Sequence, residues 1–112
     1  MANKFGARSV DYDGYHFDST KEFDRYQQLK LLERAGEIMS LDVHPTYLLQ
    51  ESFMYQGKKI QPITYTPDFR YVESGKTVIE DVKGGRATQT EAFTIKAKIF
   101  KFLNPFIDFR MV

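Results

Sequence analysis

A chain of 112 residues, 42% of them hydrophobic and none of them cysteine, is long enough for one domain with its own core, and it excludes disulfides and thiolate metal sites. The formal net charge of +1, from 16 basic and 15 acidic residues, gives the molecule as a whole no preference for a polyanion or a membrane surface. No apolar run approaches the ~18 residues of a membrane span, and the opening MANKFGARSVDYDG lacks the apolar core of a signal peptide, so the expected location is the cytoplasm.

Residues 1–17 show no sustained period; 1–11 read as a flexible basic arm running into the turn-like DYDG. Ser19-Thr20-Lys21-Glu22 has the form of a capping box and opens a helix that Gly36 should stop. VHPTYLLQESF is rich in β-branched and aromatic residues and predicts a first strand over Thr46 to Phe53. Gln56-Gly57-Lys58-Lys59 supplies a turn. A second strand, Ile63 to Glu73, connects through Ser74-Gly75 to a third, Thr77 to Lys83. Gly84-Gly85 breaks it, Thr88-Gln89-Thr90-Glu91 is a second capping pattern for a helix to Leu103, Asn104-Pro105 ends that helix, and FIDFRMV is a final strand. The predicted order is α-β-β-β-α-β: a single α/β domain whose mixed sheet begins as a meander, is completed by a crossover helix and is flanked by helices.

Side chains two apart in a strand share a face, so Asp81 and Lys83 should project together while Val82 points away. Asp68, after Pro67 on the neighbouring strand, comes within reach of Asp81. Two carboxylates beside a lysine suit a hard divalent cation and a water, Mg²⁺ with Mn²⁺ as its substitute. Lys83 would orient the water or stabilise developing negative charge. Glu80 has the opposite parity and should pair elsewhere, with Arg70 or with a partner subunit, unless a β-bulge exchanges its role with that of Asp81.

On the first helix, Glu22 lies in line with Tyr26 and Leu29, which fits either a carboxylate facing the sheet or the third residue of the capping box. On the second, Lys96 stands among Ala92, Phe93, Ile99, Phe100 and Leu103, where an unpaired ammonium is costly, so it should reach the acidic cluster or a phosphate. Lys98 and Lys101 point the other way, to solvent or to secondary DNA contacts. From Lys83 to Leu103 the cations Lys83, Arg86, Lys96, Lys98 and Lys101 face one acid, Glu91, a plausible phosphate-facing third of the chain. Arg86, Thr88, Gln89 and Thr90 form a polar loop at a helix N-terminus that could position a strand of nucleic acid. His16 and His44 are far apart, lack ligand spacing and read as structural.

Pro67-Asp68 followed after twelve residues by Asp81-Val82-Lys83 resembles the PD-(D/E)XK nuclease superfamily, whose core is also α-β-β-β-α-β. The stretches YDGYHFDSTKEFDRYQQLKLLERAGEI, YTPDFRYVE and VIEDVKGG are further similar to small phage proteins grouped with Holliday-junction-resolvase-like endonucleases. The resemblance implies a restriction-endonuclease-like fold and a metal-dependent endonuclease that hydrolyses phosphodiesters of branched DNA in phage replication or recombination, acting as a homodimer. With it, Asp68, Asp81, Lys83 and Glu22 are expected as the catalytic set and Asp68, Asp81 and Val82 as metal ligands, and the residue readings above add Lys96 to the catalytic set and Arg86, Thr88, Gln89, Lys98 and Lys101 as DNA contacts. Two other functions fit the same residues: a non-catalytic module binding nucleic acid or a phage replication protein, and a structure-tolerant nickase or an exonuclease.

Overall fold

The computed structural model describes residues 8–82 and 90–112. Ten strands and two helices follow one another along the described chain: β1 (Val10–Tyr12), β2 (Tyr15–Phe17), α1 (Thr20–Arg34), β3 (Met39–Val43), β4 (Tyr47–Gln50), β5 (Phe53–Tyr55), β6 (Lys58–Ile60), β7 (Ile63–Tyr65), β8 (Phe69–Glu73), β9 (Lys76–Asp81), α2 (Glu91–Leu103) and β10 (Asp108–Met111). The protein is therefore mixed α/β. No helix among the described residues is long and apolar enough to cross a membrane.

Ser19 caps α1 by accepting the Glu22 N–H at 3.1 Å, and Gly36, at φ +78°, takes the left-handed turn that releases the chain. The second cap lies two residues later than the capping pattern suggests. Thr90 accepts the Phe93 N–H, so Glu91 opens α2 instead of closing a box with Thr88. An acid in this first turn still meets the positive end of the helix dipole.

The main sheet has the order β10-β9-β8-β3, antiparallel except for the parallel β9–β10 pair. A parallel neighbour needs a crossover, and α2 lies in the β9–β10 connection. With α1 ahead of it, this sheet is traced as α1, β3, β8, β9, α2, β10. The first of its three meander strands is β3, not the predicted Thr46–Phe53 segment, which is divided between β4 and β5. The predicted Ile63–Glu73 strand is divided as well. Thr66, Pro67 and Asp68 separate β7, which pairs with β4, from β8 in the main sheet, since proline cannot donate to a ladder. Part of the expected N-terminal arm is instead the β1–β2 hairpin, turning at Asp13-Gly14; residues 1–7 lie outside the described residues.

Val78 and Ile79 point to opposite faces of β9, and each face has its own core. On the α1 face Phe17, Tyr26, Leu29, Phe69, Tyr71 and Val78 are buried together. On the other, Ile79 meets Phe100 of α2 and Tyr65 of β7. β9 is thus covered on both sides, which is why Val78, Ile79, Glu80 and Asp81 are all buried.

Candidate metal and phosphodiester site

Asp68 stands opposite Asp81 at the end of the sheet where β8 begins and β9 finishes, by extension of the Phe69–Glu80 register. The two are tied reciprocally. The Asp68 N–H donates to Asp81 Oδ1 at 3.0 Å, and the Val82 N–H donates to Asp68 Oδ2 at 2.7 Å. The second oxygen of Asp81 accepts the hydroxyl proton of Tyr65. Val82 itself is buried on the α1 side, so only its main-chain carbonyl could serve a cation.

Glu22 and His44 complete the group. Glu22, only 4% exposed, reaches past its helix cap to place Oε1 2.7 Å from His44 Nε2, while Oε2 accepts the Asp18 N–H at 3.3 Å. Both readings of Glu22 are therefore realised in one residue: its main chain belongs to the cap and its side chain to the cluster. His44, read from sequence as structural, is brought in by the turn after β3. Its φ of +54° is costly for a residue with a Cβ, and its N–H is anchored on the Asp68 carbonyl at 2.9 Å. Ligand atoms of Glu22, His44 and Asp68 all lie within 4.8 Å of one another.

The electrostatics follow from crowding acids in a partly dry corner. Burial, then the charge of Glu22, pushes the Asp68 carboxyl up to about 7, against the pull of the Val82 N–H. Burial also raises Asp81, with the Tyr65 hydroxyl and the Asp68 N–H working in the opposite direction. The hydrogen bond to Glu22 raises His44 against the opposing effect of burial, favouring its charged form relative to a free imidazole. Tyr65→Phe removes a hydroxyl bonded to a buried carboxylate and should cost ~1.5–3 kcal/mol. Urea unfolding at pH 8 should show this loss, and a smaller one at pH 4, where Asp81 carries less charge.

Glu80 has a partner that sequence reading did not find. It is fully buried on the α1 face, gripped by Arg25 through Nε at 2.8 Å and Nη2 at 2.6 Å, and it accepts the Tyr71 hydroxyl. Arg70 lies on the other face of the hairpin and binds Asp42 and the Tyr47 hydroxyl, the latter at 3.2 Å. The expected Arg70–Glu80 pair does not form.

Lys96 is half-buried at the margin of the α2 stripe, not at its centre, which is the line Phe93–Ala97–Phe100. It opens onto a cleft of about 330 Å³ with Thr64, Tyr65, Thr66, Thr90 and Phe93, next to the tyrosine that holds Asp81. Lys98 and Lys101 are exposed, and the Lys101 ammonium lies 4.6 Å above the Phe109 ring. Lys83, Arg86, Thr88 and Gln89 lie outside the described residues.

Fold and site together define a mixed α/β protein with a carboxylate–histidine cluster at one end of its main sheet. The chain belongs to the family described as "protein of unknown function (DUF1064)", which it matches over residues 2–111. No curated protein and no solved structure matches it.

Proposed function

We propose that this chain is a divalent-metal-dependent endonuclease of branched DNA with a restriction-endonuclease-like core. One observation carries the reading: Asp68 faces Asp81 across β8 and β9, and Glu22 and His44 converge on Asp68 from two other parts of the chain. Clustered acids destabilise one another unless something positive joins them, and the order α1, β3, β8, β9, α2, β10 supports the fold assignment.

The donor chemistry fits a cation. Glu22, His44 and Asp68 offer two carboxylates and an imidazole within reach of one centre. Imidazole is more at home on first-row transition ions than on Mg²⁺, so the mixed set leans toward Mn²⁺. Such an ion, when bound, supplies positive charge to a phosphodiester oxygen and acidifies a water. Asp81 is held by the Tyr65 hydroxyl and the Asp68 N–H, beside the three donors rather than among them. Lys96 offers a cation to the phosphate from the α2 side, and Lys83, the lysine of the Asp81-Val82-Lys83 motif, is assigned from the sequence pattern to orient the attacking water. A homodimer would set two such sites against the strands of a junction.

The test is cleavage of a labelled four-way junction, with linear, flapped and single-stranded DNA alongside, in Mg²⁺ and in Mn²⁺. Wild-type protein should cut, and Asp81→Asn and Lys83→Ala should be slower by about 10³-fold, the equivalent of ~4 kcal/mol of transition-state stabilisation. Equal inertness of all three on every DNA form would end the enzymatic reading.

A further inference from the structure

Among the described residues the β5–β6 hairpin is paired only with itself, and every residue from 51 to 62 is exposed. Two-stranded hairpins that bury nothing are marginal in water, and this one displays Phe53, Met54, Tyr55 and Ile60. A tight turn at Gln56-Gly57, both residues at positive φ, fixes its register. Cross-strand pairing puts Phe53 with Ile60 and Tyr55 with Lys58 on one face, and Met54 with Lys59 on the other.

Its charge points to the occupant. Between Ser52 and Pro67 there are two lysines, Lys58 and Lys59, and no acid. The hairpin grows from the β4–β7 ribbon, and that ribbon is covered by α2 with Lys96, Lys98 and Lys101 against the single Glu91. With Glu51 at the base of the hairpin counted, this layer carries five lysines against two acids in a chain whose formal charge is +1. An isologous contact between two copies would set lysine against lysine, whereas a polyanion satisfies both. Ribbon and site are also continuous. Tyr65 at one end of β7 holds Asp81, and the hairpin tip lies eight residues back along the chain, roughly 25 Å in extended geometry, less than one turn of duplex DNA.

We infer that the β5–β6 hairpin is a DNA-binding arm that selects branch points: Lys58 and Lys59 contact phosphates, and Tyr55 and Phe53 stack on bases that a branch leaves unstacked. The inference rests on the nuclease reading and adds to it the feature of the substrate that is recognised. Aromatic faces gain little from an intact duplex, whose bases are already stacked, and much from a flap or junction.

Fluorescence anisotropy in EDTA measures this without cleavage, using a four-way junction and a blunt duplex across a KCl series. Lys58→Ala/Lys59→Ala should weaken both DNAs alike and reduce the slope of log K against log[KCl] by about 1.8. Tyr55→Ala should lose roughly tenfold on the junction and almost nothing on the duplex. These side chains are exposed, and unchanged melting temperatures would certify the folds. An unaltered salt slope together with an unaltered junction preference overturns the arm, as does a change confined to sedimentation, which would assign the hairpin to self-association. A wild type that binds through the arm but cuts in no metal overturns the nuclease reading alone; one that cuts while ignoring the hairpin substitutions overturns the arm alone.

Discussion

Asp68→Asn is expected to abolish cleavage while making the protein more stable at pH 8. The folded carboxyl titrates near 7 against an ordinary 3.8. A group whose folded pKa is raised contributes its stability fully below about 3.8 and loses it as pH climbs through about 7. The full shift corresponds to roughly 4 kcal/mol, an upper bound for a side chain that keeps some contact with water. Asparagine still accepts the Val82 N–H and cannot ionise. Melting curves should place the variant up to roughly 10 °C above wild type at pH 8 and level with it at pH 4. Mn²⁺ should raise the wild-type melting temperature at pH 8 and leave the variant where it was, because binding to the folded state alone stabilises it. No gain for the variant at pH 8 would mean that Asp68 ionises without penalty, and the electrostatic account of the cluster would fall.

The second large effect belongs to the α1 face of β9, the strand whose end lies opposite Asp68. Arg25→Ala leaves Glu80 charged and fully enclosed with only the Tyr71 hydroxyl as a partner, and should cost ~3–5 kcal/mol. Guanidinium unfolding gives the number directly. Adding Glu80→Gln to Arg25→Ala should recover a large part of the loss, since the buried charge goes with it, and the coupling read from the double-mutant cycle should exceed 1 kcal/mol. A loss below ~1 kcal/mol would put the pair in the class of surface ion pairs. The pair also explains an acid in a doubly covered strand. Glu80 fastens α1 to β9 beside the residues that form the site, whereas Asp81, one residue on, faces the other way.

Local signals carried much of this architecture and nonlocal ones carried the rest. Both helices were legible because their caps are written in adjacent residues, although the pattern points to Thr88 for the second start and the cap is Thr90, which accepts the Phe93 N–H. Strand β9 and the parity of Asp81 were legible from β-branched residues and simple alternation. Strand β3 was not, because MSLDV carries serine and aspartate and sits between a glycine stop and His44-Pro45. Its strand character comes from pairing with β8. His44 could not be recruited from spacing, since it is 22 residues from Glu22 and 24 from Asp68 and meets them only through the turn after β3. Arg25 and Glu80, 55 residues apart, are joined only by the packing of α1 on the sheet. The one available hint was parity, which required Glu80 to have a cation on the face opposite Asp81.

Gln50 and Ile63 are register partners across β4 and β7. The twelve residues between them therefore leave the ribbon and return to the same place. A two-residue turn spans such a gap, so residues 51–62 form a detachable insertion whose excision leaves the main sheet, both cores and the acidic corner intact. If the proposed nuclease site and DNA-binding arm hold, chemistry and substrate choice are housed in separable pieces of the chain, and a different hairpin grafted between Gln50 and Ile63 should change which nucleic acid is bound without altering the acidic corner.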